Sequence, residues 1–352
     1  MRSVRLLAIL TAVVAAACGA ATPLDSGAGS PGGGGAGGSS VVAQGQGQAP
    51  YAYFYAGDPA GTGKIYAVPA GGGAPVLLVV GSAGDQIGFA LTFDDANLYY
   101  GNYQEASGAI GARSSLVMRP IYAGAPVDLV EGVDQFRAIA TDDQNVYFMV
   151  FNGSTNLTGF IGSVPKTGGA VQPLVELAVS EIGNGLTVGG GFVYWTQTDG
   201  AVRRVPVLGG NPETLASGEL NPGEIAVVGS DVYWLSAGTQ QTDCTPLDGA
   251  VRHLTPGAGA PTTVAAKLAG VTSLAVGGGD VFWSTSGPMC APTVASRSGT
   301  VFELRAKDSS PRVLASNLTY PSDLVSAGGT LYLMAYASAD SLDPAPMAIS
   351  PH

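Results

Sequence analysis

The feature of this sequence that most constrains its fold is an aromatic segment that recurs seven times. Each copy places one to three aromatic residues in a short apolar stretch, and the copies are centred on residues 54, 99, 147, 194, 233, 282 and 332. Neighbouring centres lie 39 to 50 residues apart, a period typical of repeat proteins built from small four-stranded units. The chain beyond residue 50 is therefore predicted to be one structural unit seen seven times.

Each repeat has the same internal order of segments. In the fourth unit, a small apolar strand at 185–188 precedes the aromatic strand, and a Gly-rich turn joins the two. A third strand follows at 201–206 and a fourth at 212–216. Four antiparallel strands per unit, repeated around a ring, predict an all-β propeller over residues 50–350. Seven blades fit the period best, and six blades are the alternative.

The two ends of the repeat array are weaker than its middle. The third strand of the last unit, at 344–350, contains Pro346, and no good fourth strand follows it. Residues 40–44, which include Val41 and Val42, could supply a closing strand from the other end of the chain. Such a closure would remove exposed sheet edges.

Residues 193–234 resemble a YWTD repeat of the LDL-receptor class B type. The matching features are the Tyr194-Trp195 pair, a Gly before the third strand, a Gly-Gly turn and Pro222 ahead of the next inner strand. The acidic residue that ends the family signature is missing, because Gln197 follows Thr196. The resemblance covers roughly residues 50–336 and implies a propeller that binds proteins through variable loops.

The first 17 residues have the composition of an export signal. Arg2 and Arg5 precede an apolar stretch at 6–16, which is too short for a permanent membrane helix. The small residues before Cys18 resemble a lipobox, although Ala15 stands where Leu is usual. Lipidation of Cys18 in a bacterial envelope is therefore expected, with ordinary cleavage after Ala17 and soluble secretion as the alternative. Residues 18–49 are Gly- and Ser-rich and are predicted to form a flexible tether.

The cysteine count agrees with the lipobox. If Cys18 is lipidated, Cys244 and Cys290 remain to form a disulfide, which an exported location permits. Both lie between the second and third strands of adjacent units, so the two loops are expected on one propeller face. Such a bridge would either shape a binding surface or only stabilise the fold.

Residues suited to catalysis are scarce in this sequence. Its two histidines are His253, in a predicted third strand, and the terminal His352, and no common metal-ligand motif is present. The Asp94-Asp95 and Asp142-Asp143 pairs fall in equivalent hairpin turns. Bonds to the turn backbone explain both pairs, and calcium is the alternative. No catalytic residue, metal site or cofactor is predicted.

Aligning the inner strands places one set of residues around the mouth of the central channel. This set is Phe89, Arg137, Asn184, Gly223, Thr272 and Ser322, with Glu224 and Asp323 beside them. Arg137, Asn184, Glu224 and Asp323 could face a polar ligand, or could satisfy backbone groups and water in the channel.

The net charge of −11 argues against a nucleic-acid partner or an anionic membrane surface. The sequence therefore predicts a non-enzymatic envelope or cell-surface binding module, held to the membrane by its lipid alone, whose partner is a protein or a glycan. Two alternatives stay open. One is a lactonase-like hydrolase or lyase with a metal at the channel mouth, and the other is a structural scaffold of the envelope.

Overall fold

The computed structural model describes residues 51–56, 63–69, 74–81, 86–103, 114–152, 158–239, 248–287, 298–327, 329–336 and 344–350. The expected signal at 1–17, the tether at 18–49, the closing strand at 40–44, His352 and the three cysteines Cys18, Cys244 and Cys290 lie outside these residues. The predicted lipidation and disulfide therefore stay predictions.

The described chain is almost entirely β-strand, with a single-turn 3-10 helix at Val179–Glu181. The first sheet contains β1 (Tyr51–Ala56), β2 (Lys64–Pro69) and β3 (Val76–Val80). Four sheets of four strands follow: β4 (Gln86–Phe93), β5 (Asn97–Tyr103), β6 (Ser114–Pro120), β7 (Val127–Val133); β8 (Gln135–Thr141), β9 (Asn145–Asn152), β10 (Thr158–Pro165), β11 (Gln172–Ala178); β12 (Leu186–Gly189), β13 (Phe192–Thr196), β14 (Val202–Pro206), β15 (Glu213–Ala216); and β16 (Pro222–Val228), β17 (Asp231–Ser236), β18 (Gly249–Leu254), β19 (Thr262–Leu268).

The last sheet has six strands and settles the blade count. It contains β20 (Val271–Gly277), β21 (Asp280–Thr285), β22 (Ser298–Leu304), β23 (Arg312–Ala327), β24 (Thr330–Tyr336) and β25 (Pro344–Ile349). Its 16-residue strand β23 pairs with β22 through its first half and with β24 through its second half. Two sequence repeats are thus joined in one sheet. The expectation of seven separate blades is corrected to a propeller ring of six sheets, the number given as the alternative.

The strand order confirms the repeat read from the sequence. Within each complete unit the chain runs inner, aromatic, third and outer strand, all antiparallel and joined in sequence order. The seven aromatic segments form β1, β5, β9, β13, β17, β21 and β24. Each inner strand also contacts the inner strand of the next unit, from β4 through β8, β12, β16 and β20 to β23.

The aromatic strands provide the packing between units. Trp195, Trp234 and Trp283 are fully buried at equivalent positions. Trp195 lies in one apolar cluster with Ala138 and Tyr147 of the preceding unit. A large side chain on the second strand therefore fills the space where neighbouring sheets diverge.

Contacts between the first and last units close the ring. Val325 and Tyr332 lie in one apolar cluster with Phe54 and Ile65. The Tyr332 hydroxyl also donates a hydrogen bond of 3.0 Å to the Pro69 carbonyl oxygen. The two ends of the described chain thus share one core.

The weak strand at the end of the chain forms despite its proline. In β25, Pro346 lies opposite Met334 of β24. No described strand pairs with the outer side of β25. An edge strand tolerates proline better than a central strand does, because it needs hydrogen bonds on one side only.

Among the described residues, no helix has the length and apolar character needed to cross a bilayer.

The paired aspartates act as turn residues. The Asp142 Oδ1 atom accepts hydrogen bonds from the backbone N–H groups of Gln144 at 2.9 Å and Asn145 at 2.7 Å. The Tyr147 hydroxyl donates to Asp142 Oδ2 at 2.7 Å. Asp94 makes the same three contacts in the preceding unit. These contacts confirm that bonds to the turn backbone hold the first aspartate of each pair.

Replacing Asp142 by alanine should destabilise the fold, because two turn N–H groups and the Tyr147 hydroxyl lose their acceptor. We expect a loss of about 1–3 kcal/mol in the free energy of unfolding, measured by urea denaturation. The neighbouring Asp143 is exposed, so Asp143→Ala is the matched control and should change stability by less than about 0.5 kcal/mol. Equal losses in the two variants would contradict the assignment.

Candidate functional site

The inner strands share an irregularity at one end of the channel. Five of them lose register with the aromatic strand near the start of that pairing. The residues left out of the pairing are 88–90, 137, 223–224, 272, 320–321 and 323–324. Bulges of this kind redirect side chains and are common beside functional sites.

These bulges coincide with the predicted channel-mouth positions. Phe89, Arg137, Gly223, Glu224, Thr272 and Asp323 all lie within them, and Asn184 comes just before β12. Ser322 pairs with Met334 beside the last bulge. Spacing from the aromatic strand thus located the mouth, although it did not reveal the bulges.

Arg137 and Asn184 are brought together at the mouth. The Arg137 side chain is only 5% exposed. Its Nη2 atom donates a hydrogen bond to Asn184 Oδ1 at 2.5 Å, from β8 to the segment that leads into β12. A charge-assisted bond therefore joins two neighbouring units.

Glu224 lies on the next inner strand and is 6% exposed. Its Oε2 atom accepts hydrogen bonds from Ser273 Oγ at 3.0 Å and from the Leu274 backbone N–H at 2.5 Å. Its Oε1 atom is buried and has no hydrogen-bond partner among the described residues. Burial, with a contribution from the charge of Asp323, raises the pKa of Glu224 to about 8.

Asp323 belongs to the same region of the mouth. Its backbone has φ of 51°, a left-handed conformation that is uncommon for residues other than glycine. Its Oδ2 atom accepts a hydrogen bond from Ser322 Oγ at 2.9 Å. Burial raises the pKa of Asp323 to about 7.

Hydroxyl side chains connect neighbouring units at the mouth, and the sequence reasoning missed two of them, Ser273 and Thr196. Ser273 Oγ donates to Glu224 and accepts a hydrogen bond of 2.9 Å from the Leu324 N–H. Thr272 Oγ1 donates to the Pro321 carbonyl oxygen at 2.6 Å. Thr196 Oγ1 donates to the Gly223 carbonyl oxygen at 2.8 Å. Thr196 directly follows Trp195 in the sequence, which is a signal that could have identified it.

The strand ends that flank the longer loops lie at this same end. Segments 57–62, 104–113, 153–157, 240–247, 288–297 and 337–343 each connect an aromatic strand to a third strand, and they lie outside the described residues. At the base of 240–247, Asp248 accepts hydrogen bonds from the Thr239 N–H at 2.9 Å and the Thr239 hydroxyl at 2.6 Å. The two ends of that loop are therefore held together.

His253 lies at the other end of the propeller. It is near the end of β18, where its Nε2 atom is 3.0 Å from Asp231 Oδ1 and its ring stacks on Tyr233. The side chain is partly exposed, and the residue lies in a third strand, as predicted from the sequence. In the part of the chain that the structure describes, no group of three or more His, Cys, Asp and Glu residues could hold a metal ion.

Comparison with solved structures finds propellers at low sequence identity. TolB from Acinetobacter baumannii is 12% identical with a TM-score of 0.51, and the match covers 74% of this chain and 62% of that chain. An oligogalacturonate lyase in complex with manganese is 11% identical with a TM-score of 0.56, covering 82% and 83%. A prolyl endopeptidase is 11% identical with a TM-score of 0.54, covering 82% and 46%.

These similarities establish the fold alone. The chain spans less than two thirds of the TolB chain and about half of the endopeptidase chain. No protein-family model and no curated protein matches it, so the resemblance to a YWTD repeat stays a prediction. The chain is an all-β propeller with a polar, bulge-lined mouth at the end that carries its longer loops.

The raised pKa values of the two acids should make stability fall as pH rises. Between pH 4.5, the ordinary pKa of Glu224, and about 8, its pKa in the fold, the folded chain holds a proton that the unfolded chain has lost. The free energy of unfolding should therefore drop by up to about 1.4 kcal/mol per pH unit from this group. Asp323 adds a smaller drop between its ordinary 3.8 and about 7.

Urea denaturation between pH 5 and pH 8 measures this slope. We expect Glu224→Gln to flatten it, because glutamine keeps the oxygen that accepts from Ser273 and Leu274 but cannot ionise. Asp143→Asn removes an exposed acid and should keep the wild-type slope. A Glu224→Gln slope equal to that of wild type would show that Glu224 is ionised throughout the range.

Proposed function

We propose that this protein is an exported, lipid-anchored binding module of the bacterial envelope or cell surface. Its partner, a protein or a glycan, would contact the end of the propeller that carries the longer loops. The observation that supports this most is the coincidence of two features at one end: the bulges that present Arg137, Glu224 and Asp323, and the strand ends from which the longer loops leave.

The mouth has the character of a binding site more than that of a structural channel lining. A structural lining would satisfy its polar groups internally, and Arg137 with Asn184 does so at least in part. Glu224 does not, because one buried carboxylate oxygen lacks a partner among the described residues. Buried polar groups in native proteins are nearly always hydrogen-bonded, so an exception points to a missing partner.

Hydrolysis or lyase chemistry is the second candidate. It is favoured by the pKa of Glu224, about 8, and of Asp323, about 7, since general acids and bases work best with pKa values near the ambient pH. The fold likeness to a lyase that binds manganese points the same way. Among the described residues the mouth offers two carboxylates and no histidine, which makes a metal-dependent mechanism the weaker proposal. Metal analysis of the purified protein tests it, because a stoichiometric ion would favour the enzyme.

Export with a lipid anchor is tested through Cys18. In the native host, we expect wild-type protein in the membrane fraction and Cys18→Ser in the soluble fraction or uncleaved. Cys244→Ser should remain in the membrane fraction, because it removes a thiol without touching the expected lipid site. Equal fractionation of wild type and Cys18→Ser would reject the anchor.

Binding at the loop-bearing end is tested by cross-linking capture from envelope extracts. We expect the captured partner to fall at least tenfold with the Arg137→Gln and Asn184→Ala double variant. Asp95→Asn and Asp143→Asn together alter only exposed turns at the opposite end and should leave capture within twofold of wild type. If the protein were instead a scaffold that packs through its sides, the wild type and both double variants would capture equal amounts of partner.

A further inference from the structure

We propose that Glu224 and Asp323 form a receptor for a protonated primary amine at the channel mouth. This inference rests on the proposed binding function and gives the chemical class of the group that is bound. It is carried by the geometry of one buried, incompletely bonded carboxyl group and of a second acid whose neighbouring backbone N–H bonds the same serine.

Glu224 has one carboxylate oxygen, Oε1, that accepts no hydrogen bond from the described residues. The side chain is 6% exposed, and the hydrogen bonds from Ser273 and from the Leu274 N–H both end on Oε2. Oε1 is as buried but has no donor among the described residues. Once Glu224 is ionised, a buried carboxylate oxygen without a donor is unfavourable, so an N–H group arriving with a ligand would relieve it.

The hydroxyl groups of Ser273 and Thr272 already donate their protons to acceptors other than Oε1. Ser273 gives its one proton to Glu224 Oε2 and accepts from the Leu324 N–H. Thr272 gives its proton to the Pro321 carbonyl oxygen. Neither side chain can donate to Oε1 without losing a bond between inner strands, so the donor has to come from elsewhere.

Ser273 also bonds the backbone next to the second acid. Its bond to the Leu324 N–H holds the bulge of β23 in which Asp323 lies. The left-handed backbone of Asp323 is part of that bulge, and Ser322 Oγ donates to its carboxyl group. One hydroxyl therefore bonds the Glu224 side chain and the backbone beside Asp323, so a ligand would meet both acids on a preformed frame.

An ammonium group fits this pair better than a divalent cation does. It carries one charge and three N–H donors, which match a small number of carboxylate oxygens. Calcium requires six to eight oxygen ligands, and no group of three acidic, His or Cys residues is present among the described residues. The net charge of −11 would attract any cation towards the protein. Selectivity for an ammonium group therefore has to come from the geometry of the two carboxyl groups.

The test is calorimetric titration of the purified full chain at pH 8.5 with Nα-acetyl-lysine amide. The matched control ligand is Nα-acetyl-norleucine amide, which keeps the stem and lacks the ammonium group. We expect saturable binding of the lysine compound, at least tenfold weaker binding to Glu224→Gln and to Asp323→Asn, and none of the norleucine compound. Asp143→Asn should bind within twofold of wild type.

Two further titrations identify the source of the amine. Glucosamine against N-acetylglucosamine, at pH 7.0 where the sugar amine carries its proton, represents an amino sugar. The lysine compound, titrated again at that pH, represents a protein side chain, and tighter binding of either supports the proposal. Binding that is equal in wild type and both site variants, or binding of calcium chloride without either amine, would overturn it. If neither amine binds but capture still depends on Arg137 and Asn184, the receptor is rejected and the proposed function stands.

Discussion

The whole structure depends on the inability of a single blade to bury its own faces. Each small sheet is apolar on both sides near the channel, so it is stable only against its neighbours. The fully buried tryptophans meet this requirement, because Trp195 packs on the preceding unit and Trp283 shares a cluster with Ala226 and Val251. Closure through Phe54 and Tyr332 gives the first and last units a neighbour as well.

The same constraint explains where the polar site lies. Inner strands are crowded along most of their length, and their regular pairing leaves little room for charged side chains. The breaks in pairing at one end relax this crowding, and the buried charged groups of the inner strands, Arg137 and Glu224, occur there. Each is held from an adjoining inner strand, so the interaction that assembles the ring also orients the site.

The period, the strand order and the hairpin turns could be read from the sequence because each depends on local residue types. Aligning the repeats also placed Arg137, Asn184, Glu224 and Asp323 at the mouth. The sharing of one strand between two units could not be predicted from the sequence, since it depends on Thr319 pairing with both Ser298 of β22 and Tyr336 of β24. The role of Ser273 was also hidden, because contacts about 50 residues apart in the chain create it.

The long strand β23 gives the ring one junction unlike the others. Elsewhere, neighbouring units meet mainly through side chains and a few bonds between inner strands. At Arg312–Ala327 one continuous backbone belongs to two units, so the two units form one sheet. Local opening of the last unit would therefore disturb the one before it, and we expect the two to open as a single cooperative element. Asp323 lies in this element, which ties the position of one mouth acid to the integrity of the whole six-stranded sheet.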